Sequence, residues 1–294
     1  MESMIELRKA SKSFSKDKIV IDHVSINLKK HECIAILGHN GSGKSTVLKM
    51  IAGLIPCTSG EIIYAEDCKI GYAPEQFPKL RFTAEQYLYA MGRIQGLHKS
   101  ELKQEIRELL HKFKLNECYH MTYFSKGMLQ KVNLLQAVLG NPTVLILDEP
   151  LSGLDASSQS ELITMLQIFK NQGLTIVLTC HENSLLNGIA DRIVVIKDGE
   201  IHSDNSNIQS RESLFKIIYT SNGSVEAIPI SDCLDLEMIL SHRYGKELIV
   251  KEENRDYVML QLLRHHYSIT SVTKEIDRKS VLELTSFDSE GESS

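Results

Sequence analysis

The segment Gly38-His39-Asn40-Gly41-Ser42-Gly43-Lys44-Ser45-Thr46 fits G-x-x-x-x-G-K-[ST], and that pattern narrows the possible folds more than any other stretch of the chain. Its glycines let consecutive backbone N–H groups turn toward one point and form a concave nest for an anion. A helix starting directly after the nest adds its positive end at the same place. Lys44 then supplies a full charge to the β- and γ-phosphates, and the Ser45 hydroxyl is placed to ligate Mg²⁺. The flanks agree, because Cys33-Ile34-Ala35-Ile36-Leu37 reads as a buried strand and Ser45 to Ile51 as the helix. Strand, loop and helix in this order predict ATP or GTP binding.

Around this loop the chain alternates between two periodicities. Ile5–Lys9 and Ile19–Leu28 read as strands of an antiparallel edge, and Glu61–Tyr64 and Lys69–Tyr72 as two more short strands. From Thr83 to about Leu115 the reading is helical, with Thr83-Ala84-Glu85-Gln86 as a capping box. Three apolar runs follow, Thr143–Leu147, Leu174–Leu178 and Arg192–Ile196. Continuous apolar strands separated by helical stretches predict a parallel sheet covered on both faces. Asp198-Gly199 marks a hairpin, and the polar stretch His202–Asn207 is read as a linker to a second, smaller block.

At 294 residues, the chain is long enough for one large domain and a small one. Its formal net charge of −5 gives no reason to expect nucleic acid as a partner. No apolar run approaches the ~20 residues that span a bilayer, and Met1–Glu6 lacks a secretory profile. Six cysteines occur without a C-x-x-C pair, which points to reduced thiols rather than a zinc site or disulfide framework.

Leu145-Ile146-Leu147-Asp148-Glu149 carries four features of one device: an apolar strand, its end, and two consecutive carboxylates. A buried strand ending in Asp delivers a carboxylate beside Mg²⁺. Glu149 stands one residue further on, where it can accept a proton from an attacking water. Shortly before it, Phe124-Ser125-Lys126-Gly127-Met128-Leu129-Gln130-Lys131 is a variant of L-S-G-G-Q. With this element, about the first 210 residues resemble the ATP-binding cassette (ABC) family.

The resemblance implies an α/β fold: a P-loop NTPase core of mostly parallel sheet flanked by helices, with antiparallel edge strands. It also implies a helical subdomain inserted at about residues 80–135 and a small C-terminal α+β extension. The expected boundaries are 1–212 for the ATP-binding domain, 213–285 for the accessory domain and 286–294 for a disordered tail. In the family the signature opens a helix facing the γ-phosphate held by the opposite subunit, a role that falls here to Ser125 and Gly127. Lys126 and Met128 depart from the family's glycine and glutamine. Ser152-Gly153-Leu154-Asp155 matches the loop after the catalytic Glu, with Asp155 reaching across the dimer. Thr179-Cys180-His181-Glu182 matches the switch region, where His181 holds the γ-phosphate and the water. Phe14 matches the aromatic that stacks on adenine. The slot that usually holds Gln, after Ile70-Gly71-Tyr72-Ala73-Pro74, has Glu75 followed by Gln76, and either offers an oxygen to Mg²⁺.

Lys44, Glu149 and His181 are thus the expected catalytic residues. Phe14, Gly38, His39, Asn40, Gly41, Ser42, Gly43, Lys44, Ser45, Thr46, Ser125, Gly127 and Asp155 are the expected ATP contacts, and Ser45, Asp148 and Glu75 or Gln76 the metal ligands. By resemblance the chain is an ATP-hydrolysing transporter subunit with MgATP as substrate and a separate membrane permease as partner. A second ATP-binding subunit, identical in a homodimer, completes it, and nucleic acid is not a partner. Its place is the cytoplasmic face of the membrane, and exporters of drugs, lantibiotics or similar amphipathic compounds are the nearest type. A soluble ABC ATPase acting on DNA or ribosomes would show paired cassettes, a coiled-coil insertion or a cysteine-rich module, and the sequence has none of these.

Overall fold

The computed structural model describes residues 2–15, 18–116, 119–180, 183–205, 214–221, 239–243, 247–265 and 267–275. The chain divides into two compact units, Met1–Ile208 and Gln209–Ser294.

In the first unit, β1 (Ser3–Ser15) and β2 (Lys18–Lys29) form a long hairpin, and β4 (Ser59–Tyr64) joins β1 on its other side. These antiparallel strands were expected as an edge of the main sheet but make a three-stranded sheet of their own, ordered β2-β1-β4. The separation has a packing reason. Ile5, Leu7, Ile21, Ile26 and Leu28 turn one apolar face inward, and that face needs a partner layer rather than a strand alongside.

The partner layer is a six-stranded sheet ordered β5-β6-β7-β3-β8-β9, made of β3 (Cys33–Leu37), β5 (Ile70–Ala73), β6 (Val144–Leu147), β7 (Thr175–Thr179), β8 (Arg192–Lys197) and β9 (Glu200–Asn205). All neighbours are parallel except β8 and β9. Alternate residues Ile34, Ile36, Val144, Ile146, Val177, Val194 and Ile196 share one core with the antiparallel sheet. Helix α1 (Lys44–Ile51) adds Val47, Leu48, Met50 and Ile51 to that core. The intervening Ala35, Leu145, Leu147, Ile176, Leu178, Ile193 and Val195 are buried as well, as a sheet covered on both faces requires.

Between β5 and β6 lie α2 (Ala84–Ile94), α3 (Lys99–Lys112), a 3₁₀ turn (Met121–Tyr123) and α4 (Lys126–Val138). Thr83 and Gln86 close the expected capping box on α2. Two more helices, α5 (Ala156–Asn171) and α6 (Asn183–Ile189), connect the strands that follow β6. The stretch read as a linker is different: His202–Asn205 belong to β9, and Ser206 and Asn207 lie outside the described residues. An edge strand with one face in water alternates toward polar residues, so composition alone mimics a linker there.

Arg192 ties the two sheets together. Its guanidinium, on a residue only 7% exposed, grips Asp204 of β9 through Nε and Nη2 at 2.6 and 2.5 Å. Nη1 donates to the Asn27 carbonyl of β2 at 2.7 Å, with Glu32 3.6 Å away. Hydrogen bonding to Asp204 holds the guanidinium pKa above its ordinary value, against partial burial.

The second unit is a four-stranded antiparallel sheet, ordered β11-β12-β10-β13, carrying one helix. Its elements are β10 (Leu214–Ser221), β11 (Ile239–Arg243), β12 (Glu247–Lys251), α7 (Glu252–Arg264) and β13 (Tyr267–Glu275). Phe215, Ile217, Tyr219, Leu248 and Val250 meet Val258 and Leu262 of α7 in a separate core. Tyr219 and Tyr267 pack edge-on at 5.4 Å, and Lys216 pairs with Glu247. The tail expected at 286–294 and His266 lie outside the described residues. Among the described residues, no helix is long and apolar enough to cross a membrane.

Removing the Arg192 grip leaves Glu32 and Asp204 without their cation and the Asn27 carbonyl without its donor. Arg192→Met should lower unfolding stability by about 2–3 kcal/mol, less than for a fully buried pair because Asp204 stays partly in water. Urea unfolding followed by circular dichroism checks it, and an unchanged midpoint would refute the assignment.

Candidate nucleotide site

Parallel strands bring their carboxyl ends to one rim of the sheet, and β5, β6, β7 and β3 are consecutive neighbours there. From this rim Glu75 follows β5, Asp148 and Glu149 follow β6, Thr179 ends β7 and Gly38 follows β3. Ile36 is in register with Thr179, and Leu147 with Leu178, so the termini are level.

The loop after β3 is built where side chains do not fit. Gly38 has φ +155°, and a Cβ on it would fall 2.2 Å from the Ile196 carbonyl oxygen and 2.5 Å from Ser42 Oγ. Gly43, with φ +105°, precedes α1 without any side-chain cap. The first N–H groups of α1 therefore remain available to an anion. Lys44 curls over the loop, donating from Nζ to the Gly38 carbonyl at 2.7 Å and the His39 carbonyl at 3.2 Å. Partial burial lowers its pKa, against the opposing pull of the Glu149 and Asp148 carboxylates.

Asp148 is 4% exposed and receives two hydroxyls on one oxygen. Ser45 Oγ donates to Oδ1 at 3.0 Å and Thr179 Oγ1 at 2.9 Å. The Thr179 hydroxyl in turn accepts the Glu149 N–H at 2.9 Å. Glu149 itself sits in the left-handed region, φ 45°, so the chain turns sharply as it leaves β6. Tyr72, on β5, has its phenol pushed up to about 12, first by burial and then by Asp148 and Glu75. Its Oη and Ser42 Oγ are buried without a hydrogen-bond partner among the described residues.

A cavity of about 450 Å³ opens over this rim, lined by Val20, Asn40, Gly41, Gly43, Lys44, Ser45, Thr46, Glu75 and Glu149. Its size suits a small-molecule ligand. Glu75 lines it and Gln76 does not. Phe14 is 62% exposed near the tip of the β1–β2 hairpin, with Lys12 Nζ 5.3 Å from its ring, while Val20 of the neighbouring strand reaches the cavity. His39 is exposed, its Nδ1–H donates to the Asn40 carbonyl, and Nε2 lies 3.5 Å from Asp198. The expected His181 lies outside the described residues.

Ser125, Gly127 and Asp155 do not line this cavity within one chain but meet one another elsewhere. Ser125 caps α4 by accepting the Met128 N–H, and Asp155 caps α5 by accepting the Ser158 N–H. The Ser158 hydroxyl also donates to Asp155, and these bonds hold the Asp155 carboxyl below its ordinary pKa. A Cβ on Gly127 would lie 2.5 Å from Ser158 Oγ, so the signature turn and the Asp155 turn are packed together. The departing Lys126 is exposed and reaches over Gly153 of the same turn.

Three residues hold this arrangement: Thr179, which stood in the switch segment without a role of its own, and Asn133 and Gln136, which pattern reading passed over. Asn133, fully buried, donates to the Pro74 carbonyl at 2.7 Å, and Gln136 to the Tyr72 carbonyl at 2.8 Å. A signal for the two amides was present, polar side chains spaced i, i+3 on an otherwise apolar stretch of helix, which need hydrogen-bond partners when buried. The oxygens converging here, from Ser45, Asp148 and Glu75, are hard donors of the kind Mg²⁺ takes. Among the described residues no group of three or more His, Cys, Asp or Glu forms a metal cage.

Comparison with known proteins agrees with this geometry. Residues 21–152 match the family model described as ABC transporter. The uncharacterized ABC transporter ATP-binding protein YxlF of Bacillus subtilis is 36% identical over 207 residues, 67% of this chain and 69% of that one. The linearmycin resistance ATP-binding protein LnrL of the same organism is 27% identical over 293 residues, 92% of this chain and 93% of its own. Among solved structures, the ATP-binding cassette MJ0796, a dimer in a post-hydrolysis state bound to ADP and Pi, superposes with a TM-score of 0.62. It is 25% identical and covers 69% of this chain and 98% of its own. Phosphate loop, paired carboxylates, signature and fold together make this chain a member of the ABC transporter ATP-binding protein family, the class of ABC ATPases.

Proposed function

We propose that this chain is the ATP-hydrolysing subunit of an exporter, working as a pair of cassettes on a separately encoded membrane permease. The observation that carries the reading is that Lys44, Ser45, Glu75 and Glu149 line one cavity above a buried Asp148. A lysine at a helix N-terminus suits phosphates, and the neighbouring carboxylates suit a hard cation bound with them.

In the proposed mechanism the loop N–H groups and Lys44 take the β- and γ-phosphates. On nucleotide binding, the Lys44 ammonium exchanges the Gly38 and His39 carbonyls for phosphate oxygens. Ser45 and Asp148 would hold Mg²⁺, with Glu75 the nearer of the two candidates for a further contact and Gln76 the alternative. When bound, the metal would neutralise charge on the phosphate oxygens. Glu149 accepts the proton of the attacking water on its carboxylate, and His181 positions that water. Phe14, exposed near the tip of its hairpin, offers a face for the adenine.

Ser125, Gly127 and Asp155 point to a second subunit. They sit outside the cavity of their own chain while presenting a helix N-terminus with no acidic residue in its first turn. A partner related head to tail would bring them onto the triphosphate; the similar cassette MJ0796 has itself been solved as a dimer. Closure on ATP and release on hydrolysis would then drive the permease. Export of a drug-like or amphipathic compound is the reading favoured by LnrL, whose name records linearmycin resistance and whose match spans nearly both whole chains. The chain acts at the cytoplasmic face, held there by the permease.

Two substitutions test the chemistry. Glu149→Gln keeps the shape and loses the base, so ATP turnover should fall by about 10²–10⁴-fold while MgATP binding persists and a dimer accumulates in gel filtration. Turnover near the wild-type rate would remove Glu149 from its role. Lys44→Ala should weaken ATP binding by at least about tenfold in calorimetry, the scale of a lost charge-assisted bond; unchanged affinity would remove the phosphate-loop reading. Affinity capture from detergent-solubilised membranes should recover a multispanning protein, whereas recovery of ribosomes or DNA alone would favour the soluble alternative.

A further inference from the structure

We infer that Thr179 is a positioning residue for ATP hydrolysis, setting both the Asp148 carboxylate and the Glu149 backbone through one hydroxyl. The inference deepens the site reading above and rests on it. Thr179 is the last residue of β7, is 0% exposed, and lies between Ile36 of β3 and the end of β6. Its hydroxyl has one proton and two lone pairs. The proton goes to Asp148 Oδ1 at 2.9 Å, and a lone pair takes the Glu149 N–H at 2.9 Å. Donor and acceptor capacities are matched, so the direction of both bonds is fixed by chemistry.

Each bond has a separate consequence. Ser45 already donates to Asp148 Oδ1 at 3.0 Å, and a single donor leaves a carboxylate free to rotate about its terminal torsion. Thr179 supplies the second donor from the opposite strand and stops that rotation. On the other side, Glu149 adopts φ 45°, a conformation that non-glycine residues seldom hold. Its N–H has left the β6 ladder, and the Thr179 hydroxyl gives that amide a partner at the turn that delivers the Glu149 side chain to the cavity. A β-branched side chain suits the task because its χ1 is stiff.

Valine has the same shape without the hydroxyl, and serine has the hydroxyl without the methyl, so the two separate bonding from packing. Thr179→Val in the full chain should lower kcat for ATP about 10–100-fold, the scale for partners that orient a metal ligand, with KM changed less than about threefold. Mn²⁺ binding in the presence of ATP, read by electron paramagnetic resonance, should weaken about tenfold. Amide hydrogen exchange at Glu149, measured without nucleotide, should accelerate at least about tenfold, as expected for a buried N–H that loses its partner. Thr179→Ser should restore all three. Unchanged exchange in Thr179→Val would overturn the bridge, and faster exchange with wild-type kcat would overturn the positioning role. A serine variant as impaired as valine would reduce Thr179 to packing. If the wild-type chain proved unable to hydrolyse ATP, the site reading would fail, while the exchange measurement would still decide whether the hydroxyl holds the Glu149 turn.

Discussion

A carboxylate buried to the extent of Asp148 needs donors to replace the water it has lost. Two hydroxyls do so, one from the helix after the phosphate loop and one from the strand next door. Their convergence demands that the start of α1 and the ends of β6 and β7 lie at the same level, and the registers of β3, β6 and β7 agree to within one residue. Sliding β7 by a single position would turn Thr179 to the other face of the sheet and leave the acid with one donor. Much of the core serves this alignment. Ile36, Ile146 and Val177 pack as one layer beneath the rim, and the antiparallel sheet closes over them.

Lys44 obeys the same constraint with the opposite sign. Its ammonium donates to two carbonyls of its own loop, and the acidic pair behind it offsets part of the burial cost. The loop is therefore preorganised in a shape that needs only a change of acceptor when phosphate arrives, which keeps reorganisation small. The close approaches at Gly38 and Gly43 explain why that shape tolerates no side chain at either position: the neighbours are the backbone of β8 and the body of Ile21, neither free to yield.

How much of this was legible in the sequence follows from the range of the interactions concerned. The phosphate loop, the Thr83 cap and the Asp148-Glu149 pair are local patterns in which residue type and spacing carry the physics, and each stands where its pattern implied. Within the edge strand Glu200–Asn205, the stretch His202–Asn205 was misread as a linker because polarity is shared by linkers and by strands with one wet face. The separate antiparallel sheet was misjudged since strand signals do not reveal which sheet a strand joins. Thr179 was named in the switch segment without a role, and Asn133 and Gln136 were passed over, for a different reason. Their partners lie 31, 59 and 64 residues away, and a buried polar group announces only that it needs a partner, not which one.

Those long-range amides also explain how one part of the molecule can sense another. Asn133 and Gln136, on the helix that Ser125 opens, donate to carbonyls on either side of Ala73, directly before Glu75. Gly71 lets the same helix come so close that a Cβ there would lie 1.9 Å from the Ala137 carbonyl oxygen. With no side chain between them, α4 and the end of β5 are joined by two hydrogen bonds and direct backbone contact. A shift of the Glu75 loop toward a ligand must therefore carry the signature helix with it or break buried hydrogen bonds, each expensive to leave unmade. At its other side α4 rests on the Asp155 turn through Gly127 and Ser158. Glu75, Ser125 and Asp155 are thus linked in series through α4 by buried hydrogen bonds and direct backbone contact.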